Sequence, residues 1–187
     1  GGFAAAIALG TALLSLPWSQ ASGDLSFLDV LFTSTSAVCV TGLTVVDTGA
    51  DFTRFGQTVV LVLFQAGGLG IMTFTALLFQ IIGKRLSLSS RAALQDSLFQ
   101  REVADGFKKM FVRILVMTAF IEAVGATLMT LFLFDKMRMG QAVFHSVFHA
   151  VSAFCNAGFS LYSDSLIGLR DHEGVLFAVM VLIVLGG

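Results

Sequence analysis

Four stretches of the chain are apolar and almost free of charge. A helix needs roughly 20 such residues to cross a bilayer, and the first three stretches reach or approach that length. The pattern therefore predicts helices that cross a membrane, the fourth being cut short by the end of the sequence. These stretches are Gly1–Trp18, Phe55–Ile82, Ile114–Phe134, which only Glu122 interrupts, and Val175–Gly187.

Two further apolar stretches are too short to cross a membrane. Leu25–Cys39 and Gln141–Cys155 each lie between two of the longer stretches. Ser26-x-x-Asp29, at the start of the first, resembles a capping box, in which two side chains satisfy the free backbone N–H groups at a helix start. We predict two short helices that enter the membrane and turn back, ending near Cys39 and Cys155.

The composition is typical of a membrane protein. Hydrophobic residues make up 56% of the chain and charged residues only 12%, whereas soluble domains carry about 25% charged residues. The mean hydropathy is +0.90. The formal net charge of −1 gives no indication of nucleic-acid binding.

The basic residues are concentrated in one connection. Seven of the 11 Lys and Arg residues lie between Lys84 and Arg113. Because basic residues mark cytoplasmic loops, we expect this connection to be cytoplasmic, with Leu86–Phe107 as an amphipathic helix at the membrane surface. The predicted domains are a first repeat at residues 1–83, a connector at 84–106 and a second repeat at 107–187.

The loops after the two short helices then lie on the outer side of the membrane. Asp47, Asp51 and Asp164 follow these loops closely in the sequence. Carboxylates at the entrance of a cleft raise the local concentration of cations. The sequence therefore predicts an acidic outer mouth.

The two halves of the chain repeat one motif. Ser36–Thr44 returns as Ser152–Ser160, 116 positions later, with Ser, Ala, Cys and Gly matched in place. The pairs Gly67-Gly68 and Gly186-Gly187 are 119 positions apart, so the duplication extends into the next long helix. The predicted fold class is an all-α membrane protein of repeated units. Each unit has an outer helix, a re-entrant pore helix, a filter loop and an inner helix, as in potassium channels.

Gly42 and Gly158 occupy the same position in the two repeated loops. Glycine adopts positive φ angles at little cost, and a loop whose carbonyls all point to one axis requires such angles. The two short helices direct their negative C-terminal ends toward the same region, which favours cations. Rings of carbonyls can replace the hydration shell of a potassium ion.

These residues resemble a known family. Thr35–Thr48, followed by Phe64–Gly70, looks like the first repeat of the KtrB/TrkH potassium-uptake family, a superfamily of potassium transporters. Phe148–Ser160 looks like its second repeat. The resemblance covers essentially the whole chain and is nearer to KtrB than to TrkH. Two ordered motifs with matching flanks arise by chance far more rarely than one.

The resemblance implies a function and a set of site residues. It implies that potassium crosses the plasma membrane through a filter of backbone carbonyls, without enzymatic chemistry, in a pore surrounded by four repeats. The family's gating loop belongs to the third repeat and its basic pore residue to the fourth, so neither is assigned here. The implied filter residues are Val40, Thr41, Gly42, Leu43, Asn156, Ala157, Gly158 and Phe159.

The resemblance also implies ions and partners. The membrane subunit of this family is expected to be a homodimer in lipid, regulated by a cytoplasmic nucleotide-binding ring of RCK type. Potassium is the expected ion, sodium coupling is left open, and neither an organic cofactor nor a transition-metal site is expected. Because the sequence lacks an initial Met and stops within an apolar run, it is expected to be a fragment.

Two other functions fit the pattern. A sodium-selective or weakly selective transporter of the same superfamily is the first. A membrane metalloenzyme is the second, because His145 and His149 lie one helical turn apart and Glu122 could add a third ligand. Zinc metalloproteases carry a Glu beside the first His, but Ser146 stands there. We therefore expect the histidines to pack and hydrogen-bond around the pore helix.

Several residues have a structural interpretation. Glu122 is a functional candidate because it lies within a predicted crossing, yet a hydrogen bond to a neighbouring helix is the favoured role. Cys39 and Cys155 are expected to be buried thiols without a disulfide. The remaining predictions are close helix packing at Gly67, Gly68 and Gly70, and hydrogen bonds across helices by Gln57, Gln65 and Gln80.

Overall fold

A computed structural model describes residues 2–21, 23–85, 96–135, 137–170 and 172–187, and the side chains of all of these except 71–108. Beyond an isolated bridge between Gln20 and Phe52, the regular structure of these residues is helical, which confirms the all-α class. Short 3-10 turns lie at Pro17–Ser19 and Ile167–Leu169. The helices are α1 (Gly2–Leu14), α2 (Phe27–Val38), α3 (Arg54–Arg85), α4 (Asp96–Leu133), α5 (Met139–Phe154) and α6 (Glu173–Gly186).

The first helix is shorter than the apolar pattern indicates. α1 ends at Leu14 rather than near Trp18, because Pro17 lacks an N–H group and disfavours a helical residue before it. Side chains that follow the helix satisfy its last carbonyls. The Ser19 hydroxyl donates to the Leu13 carbonyl (2.6 Å) and the Gln20 amide donates to the Leu14 carbonyl (3.2 Å).

The second helix begins with the predicted capping box. The Ser26 hydroxyl accepts from the Asp29 N–H (3.2 Å), and the Asp29 carboxylate accepts from the Ser26 N–H (3.0 Å). α2 ends at Val38 with Cys39 as its C-terminal cap. α5 ends in the same way at Phe154, with Cys155 as the cap. The predicted ends of both short helices are therefore confirmed.

The fourth helix differs from the sequence prediction at its start. α4 continues without a break from Asp96 to Leu133, so residues 96–106 of the predicted connector form its first turns. Residues 86–95 lie outside the described part of the chain. Among the described residues, the segment Lys109–Leu133 is long and apolar enough to cross a membrane, with a mean hydropathy of 1.9.

The chain divides into two compact units, Gly1–Gly68 with Ile121–Gly187, and Leu69–Phe120. The first unit contains both copies of the repeated motif and therefore all predicted filter residues. Its core joins the two repeats through Phe64 of α3. The Phe64 ring meets the Phe148 ring edge-on at a centroid distance of 5.4 Å and stacks on the Phe159 ring at 5.8 Å.

Candidate functional site

The two repeated loops are held by the same backbone hydrogen bonds. In the first, the Val40 N–H donates to the Ala37 carbonyl (3.1 Å) and the Thr41 N–H to the Ser36 carbonyl (3.0 Å). The second repeats both bonds. Each loop therefore leaves the end of its helix along the same path. The equivalent bonds are Asn156 N–H to Ala153 carbonyl (3.1 Å) and Ala157 N–H to Ser152 carbonyl (2.8 Å).

A buried serine fixes the far end of each loop. The Ser36 hydroxyl donates to the Leu43 carbonyl and the Ser152 hydroxyl donates to the Phe159 carbonyl, both at 2.7 Å. Ser36 and Ser152 are site residues that were not singled out from the sequence. Their signal was present, since both are identical positions of the repeated motif, but only the fold brings each hydroxyl to a carbonyl seven residues later.

Left-handed backbone conformations alternate along both loops. The φ angles are 54° at Val40 and 71° at Gly42, and 54° at Asn156 and 72° at Gly158. Gly adopts this region freely and Asn tolerates it, whereas a β-branched residue such as Val40 is a true outlier. Strain of this kind costs of order 1–3 kcal/mol and is found at functional sites.

Six carbonyls of these loops accept no hydrogen bond within the described part of the chain. They are the backbone oxygens of the first three residues of each loop. The fourth carbonyl, at Leu43 or Phe159, accepts the serine bond and keeps one lone pair. The loops can therefore offer oxygen ligands to a cation. The six unbonded carbonyls belong to Val40, Thr41, Gly42, Asn156, Ala157 and Gly158.

The two loops touch at their glycines. A Cβ atom on Gly42 would lie 2.7 Å from the Ala157 carbonyl oxygen and 3.2 Å from the Gly158 Cα atom. A Cβ atom on Gly158 would lie 3.2 Å from the Gly42 Cα atom. Both positions thus require glycine for two reasons, the positive φ angle and the close approach of backbone to backbone.

Glycines of α3 and α6 pack against the C-terminal ends of α2 and α5. A Cβ atom on Gly67 of α3 would collide with the Val38 carbonyl, and one on Gly186 of α6 would collide with the Phe154 carbonyl. These two contacts are related by the sequence duplication. On Gly68, a Cβ atom would lie 2.9 Å from the Cys155 Sγ atom. The predicted packing role of Gly67 and Gly68 is confirmed.

Glu122 makes the predicted bond to another helix. Its Oε2 atom accepts from the Gln65 amide of α3 at 3.1 Å, and the side chain is only 8% exposed. Gln65 thus bonds across helices as predicted. The same prediction is wrong for Gln57, whose amide donates to the carbonyls of Gly49 and Phe52 in the preceding loop. Gln80 lies outside the described side chains.

The two cysteines differ in their surroundings. Both are free thiols, and Cys155 is buried as predicted, but Cys39 is exposed in this chain. The prediction of a buried thiol is therefore wrong for Cys39. The difference arises because α3 packs on Cys155 through Gly68.

An open polar cavity of 490 Å³ lies beside the contact between the two glycines. Gly42 and Gly158 line it together with Asp47 and Asp51, so these two carboxylates occupy the position of the predicted acidic mouth. Asp164 does not line this cavity. It lies instead in a turn, where its backbone carbonyl accepts from the Ile167 N–H.

Asp47 organises the loop at this mouth. Its Oδ1 atom accepts from the N–H groups of Gly49 (2.8 Å) and Ala50 (3.0 Å), and its own N–H donates to Asp51 (2.8 Å). Partial burial acts to raise the pKa of Asp47, but hydrogen bonds from the Ser163 hydroxyl and the two N–H groups outweigh burial and lower the pKa below its usual value. Asp47 is therefore ionised at neutral pH.

His149 joins α5 to the chain that follows the second repeated loop. Its Nδ1 atom lies 2.7 Å from the His145 carbonyl, and its Nε2 atom lies 3.1 Å from the Ser160 hydroxyl and 3.3 Å from the Leu161 N–H. Because a carbonyl only accepts and an N–H only donates, Nδ1 carries the proton and Nε2 accepts. The predicted hydrogen-bonding role is confirmed for His149, and both of its nitrogens are engaged.

The described residues offer no group of three His, Cys, Asp or Glu side chains that could hold a metal ion. His145, His149 and Glu122, the residues of the metalloenzyme alternative, therefore do not form such a group. The oxygen atoms that the two loops offer are backbone carbonyls, which suit hard alkali cations rather than transition metals.

The chain is similar to several curated transport proteins. It is 41% identical over 186 residues to the Ktr system potassium uptake protein B of Bacillus subtilis and 38% identical over 187 residues to the potassium/sodium uptake protein NtpJ of Enterococcus hirae. These alignments cover 100% of this chain and 41% of each relative. For the Ktr system potassium uptake protein B of Vibrio alginolyticus, identity is 39% over 94% of this chain and 38% of the relative.

The chain thus spans about two fifths of the length of these relatives. The family model described as TrkH, cation transport protein, matches residues 4–187, which include both repeated loops. This family consists of transporters and not of enzymes. The chain belongs to the TrkH family of cation transport proteins.

Proposed function

We propose that this chain supplies two pore-lining repeats of the membrane subunit of a potassium-uptake system. Potassium ions cross the plasma membrane through the backbone carbonyls of Val40–Leu43 and Asn156–Phe159. The observation that carries this proposal is the pair of loops with identical hydrogen-bond patterns. Each leaves three carbonyls without a donor among the described residues and meets the other at a glycine.

The loops can replace the water around an ion at low cost. Their oxygens are already positioned by Ser36 and Ser152, so little reorganisation is needed when a potassium ion sheds its hydration shell. The C-terminal ends of α2 and α5 lie immediately before the loops, and their partial negative charge favours a cation. Asp47 and Asp51, at the outer cavity, concentrate cations at the entrance.

A complete pore requires more than these two loops. Two loops can contact only part of the surface of an ion, whereas carbonyl filters are built as closed rings around it. In the proposed assembly, two further repeats of the longer protein complete the ring around a pseudo-fourfold axis. The length of the relatives supports this, since the chain spans about 41% of them.

A sodium-selective or weakly selective transporter is the second candidate. The loops are unlike at their first two positions, with Val40-Thr41 in one and Asn156-Ala157 in the other. The Thr41 hydroxyl donates to the Ser36 hydroxyl at 2.9 Å, a bond that Ala157 cannot make. Unlike loops hold an ion less symmetrically, so potassium preference should be weaker than in a pore of four identical loops. The E. hirae relative is named a potassium/sodium uptake protein.

The proposed subunit works as a homodimer with a cytoplasmic RCK-type nucleotide-binding partner. Apolar side chains on the outer face of α6, such as Phe177 (65% exposed) and Val184 (78% exposed), suit lipid or protein surroundings. Two of the relatives carry Ktr system names. Native mass spectrometry of the full-length protein in lipid tests the dimer, and nucleotide-dependent flux on addition of an RCK-type ring tests the partner.

Ion uptake tests the proposed function directly. The full-length protein that contains this chain is expressed in bacteria that lack their own potassium uptake, and potassium and sodium uptake are measured. Growth at low potassium, with potassium uptake above sodium uptake, is the expected result. Uptake of sodium with no potassium preference would favour the second candidate. Membrane-inserted protein that moves neither ion would overturn the proposal.

A further inference from the structure

Gln65 on α3 is hydrogen-bonded at both ends of its side-chain amide. Its Oε1 atom accepts from the Cys155 thiol at 3.2 Å, and its Nε2 atom donates to Glu122 Oε2 at 3.1 Å. Cys155 caps α5 and immediately precedes Asn156, the first residue of the second filter loop. A continuous chain of hydrogen bonds therefore runs from α4 through α3 to the start of that loop.

A second contact from the same helix confines Cys155. Gly68 lies three residues after Gln65 and hence on the same face of α3. A Cβ atom on Gly68 would lie 2.9 Å from the Cys155 Sγ atom and 3.1 Å from its Cβ atom. The Cys155 thiol is thus held by its hydrogen bond to Gln65 and by the backbone of Gly68, one turn further along α3.

Glu122 determines which way the Gln65 amide points. A carboxyl oxygen accepts hydrogen bonds, so the Nε2 end of Gln65 turns toward Glu122 and the Oε1 end toward Cys155. With the amide reversed, two donors would meet at Cys155 and two acceptors at Glu122. The carboxyl is 8% exposed, and its Oε1 atom has no hydrogen-bond partner among the described residues. The Gln65 amide is therefore the donor that holds the Glu122 carboxyl group in place.

The first loop shows no such arrangement within the described part of the chain. Cys39, the equivalent of Cys155, is exposed, and its thiol makes no hydrogen bond within the described part of the chain. The positions related by the duplication to Glu122 and Gln65 are Ala6 and Val184, whose side chains cannot form polar bonds. Within the described residues, this chain of hydrogen bonds is therefore seen at the second loop alone.

We propose that Gln65 and Glu122 are positioning residues for the second filter loop. Glu122 orients the Gln65 amide, and Gln65 holds Cys155 by a hydrogen bond. The position of Cys155 then determines the positions of the Asn156–Gly158 carbonyl oxygens. This assignment rests on the proposed function, because its consequence is discrimination between potassium and sodium. Without the hydrogen-bond chain, the loop is free to shift its carbonyls and to fit the smaller sodium ion as well.

Uptake ratios in the full-length protein test the positioning role. Gln65→Met keeps the side-chain length but removes both hydrogen bonds, and it should lower the potassium-to-sodium uptake ratio several-fold at unchanged abundance. Glu122→Gln and Cys155→Ser preserve an acceptor and a donor, so they should keep most of the ratio. Cys155→Ala should lower it.

A double variant shows whether Gln65 and Cys155 act through one hydrogen-bond chain or affect the uptake ratio independently. If the three residues act in series, Gln65→Met combined with Cys155→Ala should lower the ratio no further than the more severe single variant. Additive losses would overturn the proposal. So would a wild-type ratio in Gln65→Met at normal abundance. A wild-type protein without potassium uptake would instead overturn the proposed function.

A spectroscopic measurement tests the hydrogen bond without relying on transport. In a Cys39→Ser background, the infrared S–H stretching band reports Cys155 alone. Gln65→Met should shift this band to higher frequency, because the thiol loses its acceptor, and Glu122→Gln should leave it near its original position. A band that does not move in Gln65→Met would overturn the proposed role of Gln65.

Discussion

Gly42 and Gly158 approach so closely that a Cβ atom on either would lie 3.2 Å from the Cα atom of the other. They occupy the same position in two loops 116 residues apart, and both have φ angles in the left-handed region. The contact joins the two repeats at the level of the proposed filter. It also makes the carbonyl positions of each loop depend on the other loop.

Gly42→Ser and Gly158→Ser should each lower potassium preference more than protein abundance. Each adds a Cβ atom at a positive φ angle, with strain of order 1–3 kcal/mol. Gly42→Ser should have the larger effect, because its Cβ atom also meets the Ala157 carbonyl at 2.7 Å. The measurement is potassium and sodium uptake of the full-length variants at matched expression.

Two other glycines serve as controls for this comparison. Gly23 has a φ angle of 75° but open space around it, and Gly140 has open space without a positive φ angle. Gly23→Ser and Gly140→Ser should keep the wild-type uptake ratio. If Gly42→Ser and Gly158→Ser also keep that ratio, the filter assignment is wrong.

Ser36→Ala and Ser152→Ala should loosen the loops from their far ends. Each removes a buried hydrogen bond worth about 0.5–1.5 kcal/mol, to the carbonyl of Leu43 or Phe159. Ser36→Ala should lower potassium preference more, because Ser36 also accepts from the Thr41 hydroxyl. Ser15→Ala, which removes a hydroxyl that donates to the Thr11 carbonyl at the end of α1, is the control in the same uptake assay. Equal ratios in all three variants and wild type would contradict a positioning role for these serines.

The turn at Asp47 should keep its structure in mildly acidic solution. The pKa of Asp47 is lower in the folded protein than its usual value of 3.8, so its contribution to stability is fully present above that value. It is lost only as pH falls through the lower folded pKa. Hydrogen-exchange protection of the Gly49 and Ala50 amides should therefore be constant between pH 7 and pH 5, because pH 5 still lies about one unit above the ordinary pKa of an Asp carboxyl.

Asp47→Asn gives the matched comparison for this turn. It keeps one acceptor oxygen but removes the charge and the second oxygen, so protection of the two amides should fall at every pH. Loss of protection in the wild-type protein near pH 5 would show that the carboxyl titrates there, contrary to the expected direction of its pKa.

Cysteine labelling should place the connector and the acidic mouth on opposite sides of the membrane. In a background with Cys39→Ser and Cys155→Ser, Ser89→Cys should react only from the cytoplasmic side, and Ser163→Cys only from outside. Ser89 lies outside the described residues, but its basic surroundings predict a cytoplasmic position. Labelling of Ser89→Cys from outside alone would invert the topology.

Residues 1–187 expressed alone should not transport potassium. A carbonyl filter needs a closed ring of about four loops, and this chain contributes two. The comparison is growth at low potassium of cells that carry either residues 1–187 or the full-length protein. Robust rescue by residues 1–187 would contradict this expectation, unless crosslinking shows that two copies assemble to complete the ring.

The helical class, the repeat and the local turns follow from short-range patterns in the sequence. Apolar runs and the Ser26–Asp29 capping box predict helices because they depend on neighbours only a few residues away. The matched Gly42 and Gly158 predict positive φ angles, which both residues adopt, since that requirement belongs to the local backbone. Glu122 was identified as a hydrogen-bonding candidate because an acid within an apolar run needs a partner.

Contacts between residues far apart in the chain could not be predicted and are seen only in the fold. Gln65 and Cys155 are 90 residues apart, and nothing in their local sequence distinguishes the Gln65 bond from that of Gln57, which turns back to its own loop. The two cysteines occupy equivalent motif positions, yet α3 covers Cys155 and leaves Cys39 exposed. Hydropathy and turn preferences act over one or two turns of chain, whereas a contact between repeats depends on how whole helices pack.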